Sequence, residues 1–372
     1  MKILIERNAL LAALGHVTSV VERRTTIPIL SNVLLSAADG SLQLKATDLE
    51  REVVETTDAE VSQAGALTVS AHILHDIVRK LPDGAQISLE LDSDDGRLNL
   101  SSGHASFTLQ TLPADEFPDL SAEEMEHHFE VPAKDLRRLI EKVRFAISTE
   151  ETRYYLNGIY FHTAESDGTQ VLRAVATDGH RLAQVELEMA AGAENIPGVI
   201  IPRKTIHEIH RLIEDVKPSL KVALSTSKIQ FKIGTVVVTS KLIDGTFPDY
   251  GRVIPEGNDK TLNVSSDDFA KAVDRVSTIS NERGRAVKLN ITADTVVLSV
   301  SDPNGGSATE ELSVNYDADP LEIGFNARYL LDITGQLESD TVHFLLSDPG
   351  SPTMVKDSGD ESALYVLMPM RV

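Results

Sequence analysis

The sequence predicts an α+β protein built from three tandem copies of one domain, each copy containing two β-α-β-β-β units. One observation behind this prediction is an apolar strand that ends in a hydroxyl residue followed by aspartate, and that recurs along the chain. The other is a pair of helical patterns in each third of the chain, with apolar residues at three- and four-residue spacing. The recurring strands lie at 42–48, 171–178 and 296–302. The predicted domains are residues 1–120, 128–248 and 249–372.

The first helix of each copy follows a short strand, and these helices are predicted at 9–20, 133–147 and 268–279. The segment Ser265-Ser266-Asp267-Asp268 supplies oxygen acceptors for the free N–H groups at the start of the third. The second helix of each copy is indicated by apolar pairs seven residues apart, and short alternating strands with Gly, Asp or Asn turns follow it. These pairs are Leu74 and Leu81, Ile206 and Ile213, and Leu330 and Leu337.

Composition limits the class of protein. No stretch approaches 18 continuous apolar residues, and Glu6 comes too early for a signal peptide. The chain has no cysteine, which excludes disulfides, thiolate nucleophiles and sulfur-ligated metals. We therefore expect a soluble, cytoplasmic protein without a metal or cofactor.

Charge is unevenly distributed along the chain. The net formal charge is −22, yet the six helical windows together carry +5 and the remaining residues −27. If the helices share one face, that face is neutral to basic inside an acidic protein and would attract a polyanion. The alternative is that basic residues are good helix formers lying on solvated surfaces.

Helix geometry sets a condition on any ring around a nucleic-acid duplex. Six helices side by side at about 9 Å spacing form an arc of roughly 54 Å, which closes to a circle only about 17 Å across. That circle is narrower than a duplex, whose two grooves are roughly 8.5 and 7.5 Å deep. Two chains would double the diameter to about 34 Å. An encircling function therefore requires a dimer.

Several motifs in register along the whole chain carry a family resemblance. They are Arg153-Tyr154-Tyr155-Leu156-Asn157-Gly158, Ala176-Thr177-Asp178-Gly179-His180-Arg181-Leu182, Phe247-Pro248-Asp249-Tyr250, Met368-Pro369-Met370-Arg371, Thr26-Ile27-Pro28-Ile29-Leu30-Ser31-Asn32 and Asn281-Glu282-Arg283. Together they resemble the bacterial DNA polymerase III β subunit, the sliding clamp.

The resemblance implies a head-to-tail homodimeric ring, with helices lining the hole and sheets forming the outer wall. Such a ring slides on duplex DNA and tethers the replicative polymerase. It is a non-catalytic processivity subunit of a nucleotidyltransferase holoenzyme. Its implied partners are double-stranded DNA, the polymerase catalytic subunit, the clamp loader and other replication and repair proteins that dock through short linear peptides.

The resemblance also implies a hydrophobic peptide groove between the second and third domains. Leu, Val and Met side chains would form an adaptable floor, while Arg153, His180 and Arg181 would donate hydrogen bonds to the peptide. Gly251 stands where relatives often have a second arginine, which leaves one polar contact open. The predicted lining is Arg153, Leu156, Thr177, Gly179, His180, Arg181, Leu182, Pro248, Arg252, Val253, Pro352, Val366, Met368, Pro369, Met370 and Arg371.

Contacts with DNA are expected to involve phosphates and to be independent of base sequence. By resemblance they include Arg24, Tyr154 and Tyr155, although Glu150 and Glu151 bring two acids beside Tyr154. Helix charge adds Arg79, Lys80, Lys134, Arg137, Arg138, Lys142 and Arg203. The dimer contact implied by the resemblance joins Phe107 to Thr278 and Ile279.

Two other functional classes remain open. Asp178 and His180 in one turn could take part in acid–base or metal chemistry, although no third ligand is indicated. The pair His207 and His210 misses the zincin spacing, because Arg211 occupies the position of the second histidine. The other alternative is a peptide-binding scaffold that does not encircle DNA.

Overall fold

A computed structural model describes residues 1–92, 96–120, 124–213, 219–280, 286–302 and 305–371. The sequence motif at Asn281, Glu282 and Arg283 lies outside the described residues. None of the helices in the described ranges is long and apolar enough to cross a membrane.

The three copies predicted from the sequence share two helices, each preceded by a strand and followed by antiparallel strands, and they differ in short additional strands. The first contains β1 (Lys2–Glu6), α1 (Arg7–Val17), β2 (Asn32–Ala38), β3 (Ser41–Thr47), β4 (Arg51–Asp58), β5 (Glu60–Gln63), β6 (Gly65–Ser70), α2 (Ala71–Lys80), β7 (Gln86–Leu91), β8 (Leu98–Ser102), β9 (Ala105–Leu109) and β10 (Thr111–Leu112).

The second copy matches the predicted pattern of two β-α-β-β-β units without an additional strand in its described part. It contains β11 (His127–Pro132), α3 (Ala133–Val143), β12 (Gly158–Ser166), β13 (Thr169–Thr177), β14 (Arg181–Glu188), β15 (Val199–Pro202), α4 (Arg203–Leu212), β16 (Ser219–Leu224), β17 (Lys228–Ile233) and β18 (Val236–Lys241).

The third copy again has two helices, each followed by antiparallel strands. It contains β19 (Lys260–Ser265), α5 (Ser266–Ser277), β20 (Ala286–Ile291), β21 (Thr295–Asp302), β22 (Gly306–Ser313), β23 (Asn315–Tyr316), β24 (Leu321–Asn326), α6 (Ala327–Thr334), β25 (Thr341–Leu346), β26 (Thr353–Asp357) and β27 (Asp360–Leu367). Short 3₁₀ turns occupy Pro28–Ser31, Ala114–Glu116, Arg144–Ala146, Glu151–Leu156 and Tyr250–Val253.

Side-chain caps fix where several helices begin. Glu6 accepts the N–H groups of Asn8 and Ala9 at the start of α1, and Ser265 accepts the N–H of Asp268 in α5, as the sequence predicted. Helix ends were predicted less well: α1 stops at Val17, not at residue 20, and α3 stops at Val143, not at residue 147. In both cases buried apolar residues continue past the helix end and extend the periodic pattern.

The three repeats form two compact units, because the strands of the second copy divide between two sheets. One unit comprises 1–134, 190–193 and 207–242, and it holds a five-stranded sheet, β5-β1-β7-β8-β9, and a nine-stranded sheet, β10-β6-β2-β3-β4-β18-β17-β16-β11. The other comprises 135–189, 194–206 and 243–372, and it holds the nine-stranded sheet β15-β12-β13-β14-β27-β26-β25-β19-β23 and the four-stranded sheet β22-β21-β20-β24.

Two antiparallel junctions make these long sheets continuous. β4 of the first copy pairs with β18 of the second, with Val53 opposite Val238. β14 of the second copy pairs with β27 of the third, with Leu182 opposite Val366. The domain boundaries predicted from the repeats, 1–120, 128–248 and 249–372, stay a prediction. The second junction places the start of β14 at Arg181 opposite the end of β27 at Leu367.

Candidate functional site

The turn between β13 and β14 is held by its own side chains. The Thr177 hydroxyl donates to the carbonyl of Arg181 at 2.7 Å and accepts the N–H of Gly179 at 3.0 Å. Asp178 Oδ1 accepts the N–H groups of His180 and Arg181 at 2.9 and 3.0 Å. Gly179 has φ +87°, a left-handed conformation that glycine adopts without strain. The Thr-Asp-Gly sequence therefore fixes this turn locally.

The first copy repeats the same turn between β3 and β4. Thr47 donates to the carbonyl of Arg51 at 2.7 Å, and Asp48 Oδ1 accepts the N–H groups of Glu50 and Arg51. Leu49 occupies the left-handed position, with φ +72°. The internal repeat predicted from strand-then-turn sequences is thus confirmed at the level of individual hydrogen bonds.

Arg181 anchors the turn to its surroundings. Its side chain is 7% exposed and lies 3.2 Å from Asp178 Oδ2 and 2.5 Å from Asp332 Oδ2. It also donates to the carbonyl of Phe145 at 2.6 Å. Its guanidinium carbon lies 5.0 Å from the centre of the Phe145 ring and 4.3 Å from that of Tyr329. Each of the three side-chain nitrogens donates to a protein acceptor, so Arg181 positions the turn. The predicted hydrogen bond from Arg181 to a peptide stays a prediction.

A cavity of about 280 Å³ opens beside this turn. Its floor is a buried apolar cluster that includes Leu156, Leu182 and Val366. Val253 and Met368 lie at the cavity and are 46% and 39% exposed. The full lining is Arg153, Tyr155, Leu156, Thr177, Gly179, Arg181, Leu182, Pro248, Asp249, Tyr250, Val253, Val366 and Met368. We call this cavity the groove.

Most of the predicted groove residues border the cavity, but six do not. Met370 is held elsewhere, because its N–H donates to the carbonyl of Gly324 at 2.8 Å. The carbonyl of Pro352 accepts from the side chain of Asn258 at 2.9 Å. The predicted residues outside the lining are His180, Arg252, Pro352, Pro369, Met370 and Arg371.

Sequence reasoning missed three lining residues. Asp249 and Tyr250 directly follow Pro248 in the Phe-Pro-Asp-Tyr motif, which was the available signal. Tyr155 was predicted to contact DNA, but it lines the groove. Its neighbour Tyr154 is 53% exposed and stays a candidate for DNA contact.

Two arginines are paired with neighbouring acids: Arg153, which lines the groove, and Arg252, which lies in the adjacent turn Tyr250–Val253. Arg153 donates to both carboxylate oxygens of Glu150, at 2.8 and 2.7 Å, and these hydrogen bonds lower the pKa of Glu150. Arg252 donates to Asp249 at 2.8 Å from a largely exposed position. A ligand that recruits either guanidinium must compete with these local pairs.

In the first copy, charged residues occupy the positions that correspond to the apolar floor of the groove. Lys45 and Glu52 stand in β3 and β4 where Val175 and Leu182 stand in β13 and β14. Lys45 Nζ lies 3.6 Å from Glu52 Oε2 and 3.1 Å from Asp119 Oδ1, and Glu52 accepts the N–H of Leu120 at 3.1 Å. Burial raises the pKa of Glu52. An ion pair thus replaces the apolar floor of the groove.

The geometry does not favour the acid–base alternative at Asp178 and His180. Both oxygens of Asp178 are engaged, one by backbone N–H groups of the turn and one by Arg181. His180 is exposed and stacks on Tyr329. Within the described ranges, no group of three or more His, Asp or Glu side chains could hold a metal ion.

Family models for the DNA polymerase III beta subunit match the chain in three consecutive stretches. The N-terminal domain matches residues 1–121, the central domain 130–249 and the C-terminal domain 251–371. The chain belongs to the DNA polymerase III beta subunit family, the sliding clamps. The resemblance inferred from the sequence motifs is therefore confirmed.

Full-length relatives agree with this family assignment. The beta sliding clamp of Caulobacter vibrioides is 53% identical over 372 residues, and that of Escherichia coli K12 is 39% identical over 375 residues; both alignments cover all of each chain. A solved sliding clamp from Bartonella birtlesii, bound to griselimycin, superposes with a TM-score of 0.97 at 53% identity and full coverage of both chains. The predicted three-domain α+β clamp fold is confirmed.

The cations predicted to contact DNA differ in their accessibility. Arg137 pairs with Glu141 at 3.0 Å, and Arg138 pairs with Asp360 at 2.5 Å. Lys142 is 5% exposed, lies 2.8 Å from Glu338, and donates to a backbone carbonyl. We no longer expect Lys142 to contact DNA. The exposed members of the set are Arg24, Arg79, Lys80, Lys134 and Arg203.

The residues predicted at a dimer contact lie near sheet edges. Phe107 is in β9, which is the last strand of the five-stranded sheet. Thr278 follows α5 as its C-terminal cap, and Ile279 comes next along the chain. α5 packs against β22, which is the last strand of the four-stranded sheet. In this clamp fold each end strand has no second strand neighbour among the described residues.

Proposed function

We propose that this chain forms a head-to-tail homodimeric ring that encircles duplex DNA, tethers the replicative polymerase and docks its partners through short peptides in the groove. The family assignment supports a processivity role in DNA replication. The observation that carries the peptide part is the groove, whose apolar floor is reached from solvent past the exposed side chains of Val253 and Met368.

The chemistry of the groove favours an extended peptide with apolar side chains. Buried Leu, Val and aromatic residues give favourable desolvation to an apolar anchor. Met368 is flexible and can adapt to different side chains, which suits a site shared by several partners. Arg153 and Arg252 lie at or near the rim, where they can exchange an intramolecular acid for a carboxylate of the peptide.

Dimerisation through β9 and β22 would remove two sheet edges. Unpaired edge strands expose backbone N–H and C=O groups, and pairing between chains satisfies them. Because β9 and β22 belong to different ends of the chain, their pairing is heterologous and can close a two-membered ring. Phe107 on β9 and Ile279 after α5 would contribute apolar contacts to that junction.

The DNA contact should be weak and independent of sequence. Phosphates attract the exposed cations of the helices, whereas the net charge of −22 disfavours binding elsewhere on the surface. Weak phosphate contacts permit sliding, so the stable association comes from topology.

Retention on circular DNA tests whether the protein encircles the duplex as a ring. The protein, loaded on nicked circular duplex by its clamp loader, should remain bound through gel filtration and be lost when a restriction enzyme linearises the circle. Retention on linear DNA with free ends would contradict topological tethering. Dissociation from intact circles would instead favour the alternative, a peptide-docking scaffold that does not encircle DNA.

A separate binding assay tests the groove. The relatives from Bartonella birtlesii and Pseudomonas aeruginosa are bound to griselimycin in their solved structures, and we expect this compound to occupy the same groove here. Leu182→Ala should weaken its binding in isothermal titration calorimetry. A matched substitution in the first copy, Leu44→Ala, removes an equally buried side chain away from the groove and should leave affinity unchanged.

A further inference from the structure

Polar side chains anchor one wall of the groove from beneath. Tyr250 begins the 3₁₀ turn Tyr250–Val253 and borders the cavity. Its hydroxyl accepts a hydrogen bond from Arg173 Nη1 at 3.0 Å and lies 3.0 Å from His162 Nε2. Arg173 also donates through Nε and Nη2 to Glu186 Oε1, at 2.8 and 2.5 Å. The wall is therefore tied to three neighbouring strands, β12, β13 and β14.

The direction of each hydrogen bond follows from what each group can donate. His162 Nδ1 lies 2.8 Å from the carbonyl of Thr163, which can only accept, so Nδ1 carries a hydrogen. Arg173 can only donate, so the Tyr250 oxygen accepts from it and directs its own hydrogen to His162 Nε2. In this arrangement His162 is neutral, and each of the three hydrogen bonds from Arg173 to Thr163 joins one donor to one acceptor.

His162 is also connected to the apolar floor of the groove through the ring of Tyr160. The ring of Tyr160 stacks on His162 with centroids 4.4 Å apart and on Phe247 with centroids 4.9 Å apart. Phe247 belongs to the buried cluster beneath the cavity, and Tyr160 and Tyr250 pack against that cluster. A change in the position of the His162 ring is therefore transmitted to both the wall and the floor.

We propose that His162 and Arg173 are positioning residues for the groove, which hold Tyr250 in the binding conformation only while His162 is neutral, so that ligand affinity falls in acidic solution. This inference rests on the proposed ligand-binding function of the groove. It adds a proton-sensitive element to a site whose lining contains neither side chain.

Protonation of His162 reverses its hydrogen bond with Tyr250 and places a second positive charge near Arg173. With Nε2 protonated, the Tyr250 oxygen accepts from two cations, and its own hydrogen loses its acceptor. Among the described residues, the titratable or charged groups that face His162 are Arg173, its partner Glu186, and the phenols Tyr160 and Tyr250.

These surroundings set the pH range of the effect. Burial and then the charge of Arg173 lower the pKa of His162 below its usual value, although the bond to Thr163 acts in the opposite direction. The folded state therefore resists protonation. Affinity should be constant near neutral pH and should fall as the pH drops below the ordinary histidine range.

Griselimycin affinity measured by calorimetry from about pH 8 to about pH 5 tests the proposal. The wild-type affinity should fall by about fivefold to tenfold at the acidic end, as expected for one disrupted hydrogen bond to a charged network. His162→Gln retains an acceptor for Tyr250 without titrating, and it should bind with a flat pH profile. The griselimycin affinity of Tyr250→Phe should also be independent of pH, and it should be weaker than that of the wild type at neutral pH.

If His162→Gln and Tyr250→Phe keep the wild-type profile, or if the wild type has no acidic loss, the proposal is overturned. Absence of griselimycin binding by the wild type at neutral pH would instead refute the ligand-binding function of the groove, on which the proposal depends. Circular dichroism melts at each pH will show that the variants are folded.

Discussion

Arg181, which lines the groove, and Arg252, in the adjacent turn Tyr250–Val253, provide a matched pair of substitutions. Each arginine pairs with the aspartate three residues before it, Asp178 or Asp249. The Arg181 side chain is 7% exposed and that of Arg252 is 84% exposed. The two pairs therefore share spacing and chemistry but differ in solvation, and solvation should decide their contribution to stability.

Arg181→Ala removes the partner of two carboxylates and the donor to a partly buried carbonyl. The lost contacts are those at 3.2 Å to Asp178, 2.5 Å to Asp332 and 2.6 Å to the Phe145 carbonyl. Removing one member of a buried ion pair costs about 3–5 kcal/mol. For a unit of roughly 200 residues, each kcal/mol lowers Tm by about 2–4 °C, so we expect a fall on the order of 10 °C.

Arg252→Ala should have little effect on Tm, because water solvates both charges before and after the change. Differential scanning calorimetry at neutral pH compares the two variants with the wild type. Arg181→Lys adds a test of geometry: it keeps the charge but not the planar fork, and it should recover only part of the loss. Equal Tm values for the Arg181→Ala and Arg252→Ala variants would refute the argument that burial of Arg181 stabilises the groove.

Further predictions follow from the same contacts. Leu182→Ala should reduce stability by about 2–5 kcal/mol, measured by urea unfolding, because Leu182 is 2% exposed in the groove floor. Lys134→Ala should reduce the slope of log affinity against log salt for DNA by about 1, measured by fluorescence anisotropy, whereas Lys142→Met should leave the slope unchanged. Burial raises the pKa of Glu52, so its folded form holds a proton more readily than its unfolded form and wild-type stability should gain as the pH falls. Glu52→Gln should lack this gain, so the Tm of the wild type relative to that of Glu52→Gln should rise from neutral to acidic pH, as measured by differential scanning calorimetry.

The groove shows which residues of a site can be predicted from the sequence. The turn between β13 and β14 was predicted from its own residues, because short motifs dictate local turns. The lining residues Leu156, Leu182 and Val366 were predicted from the family resemblance, and they border the cavity. The ends of the chain were predicted less accurately. Met370 has an apolar side chain, but its backbone pairing with Gly324 determines where it lies.

Charged side chains were the least predictable, because their roles depend on partners distant in sequence. Arg181 and Lys142 look like free cations in a sequence, yet Asp332 and Glu338 neutralise them in the folded chain. The anchoring of Tyr250 by His162 is likewise invisible without the fold, because the two residues are 88 positions apart.

The sequence by itself determined the threefold order of strands and helices, the Thr-Asp turns and the family, since all of these depend on local spacing and short motifs. Only the tertiary structure decided that the second copy divides between two nine-stranded sheets. It also decided that the groove lies beside the turn between β13 and β14, whereas the corresponding position of the first copy holds the Lys45–Glu52 ion pair. The physical reason is that strand pairing and ion pairing join residues far apart in the chain, and their energies depend on burial that no local pattern specifies.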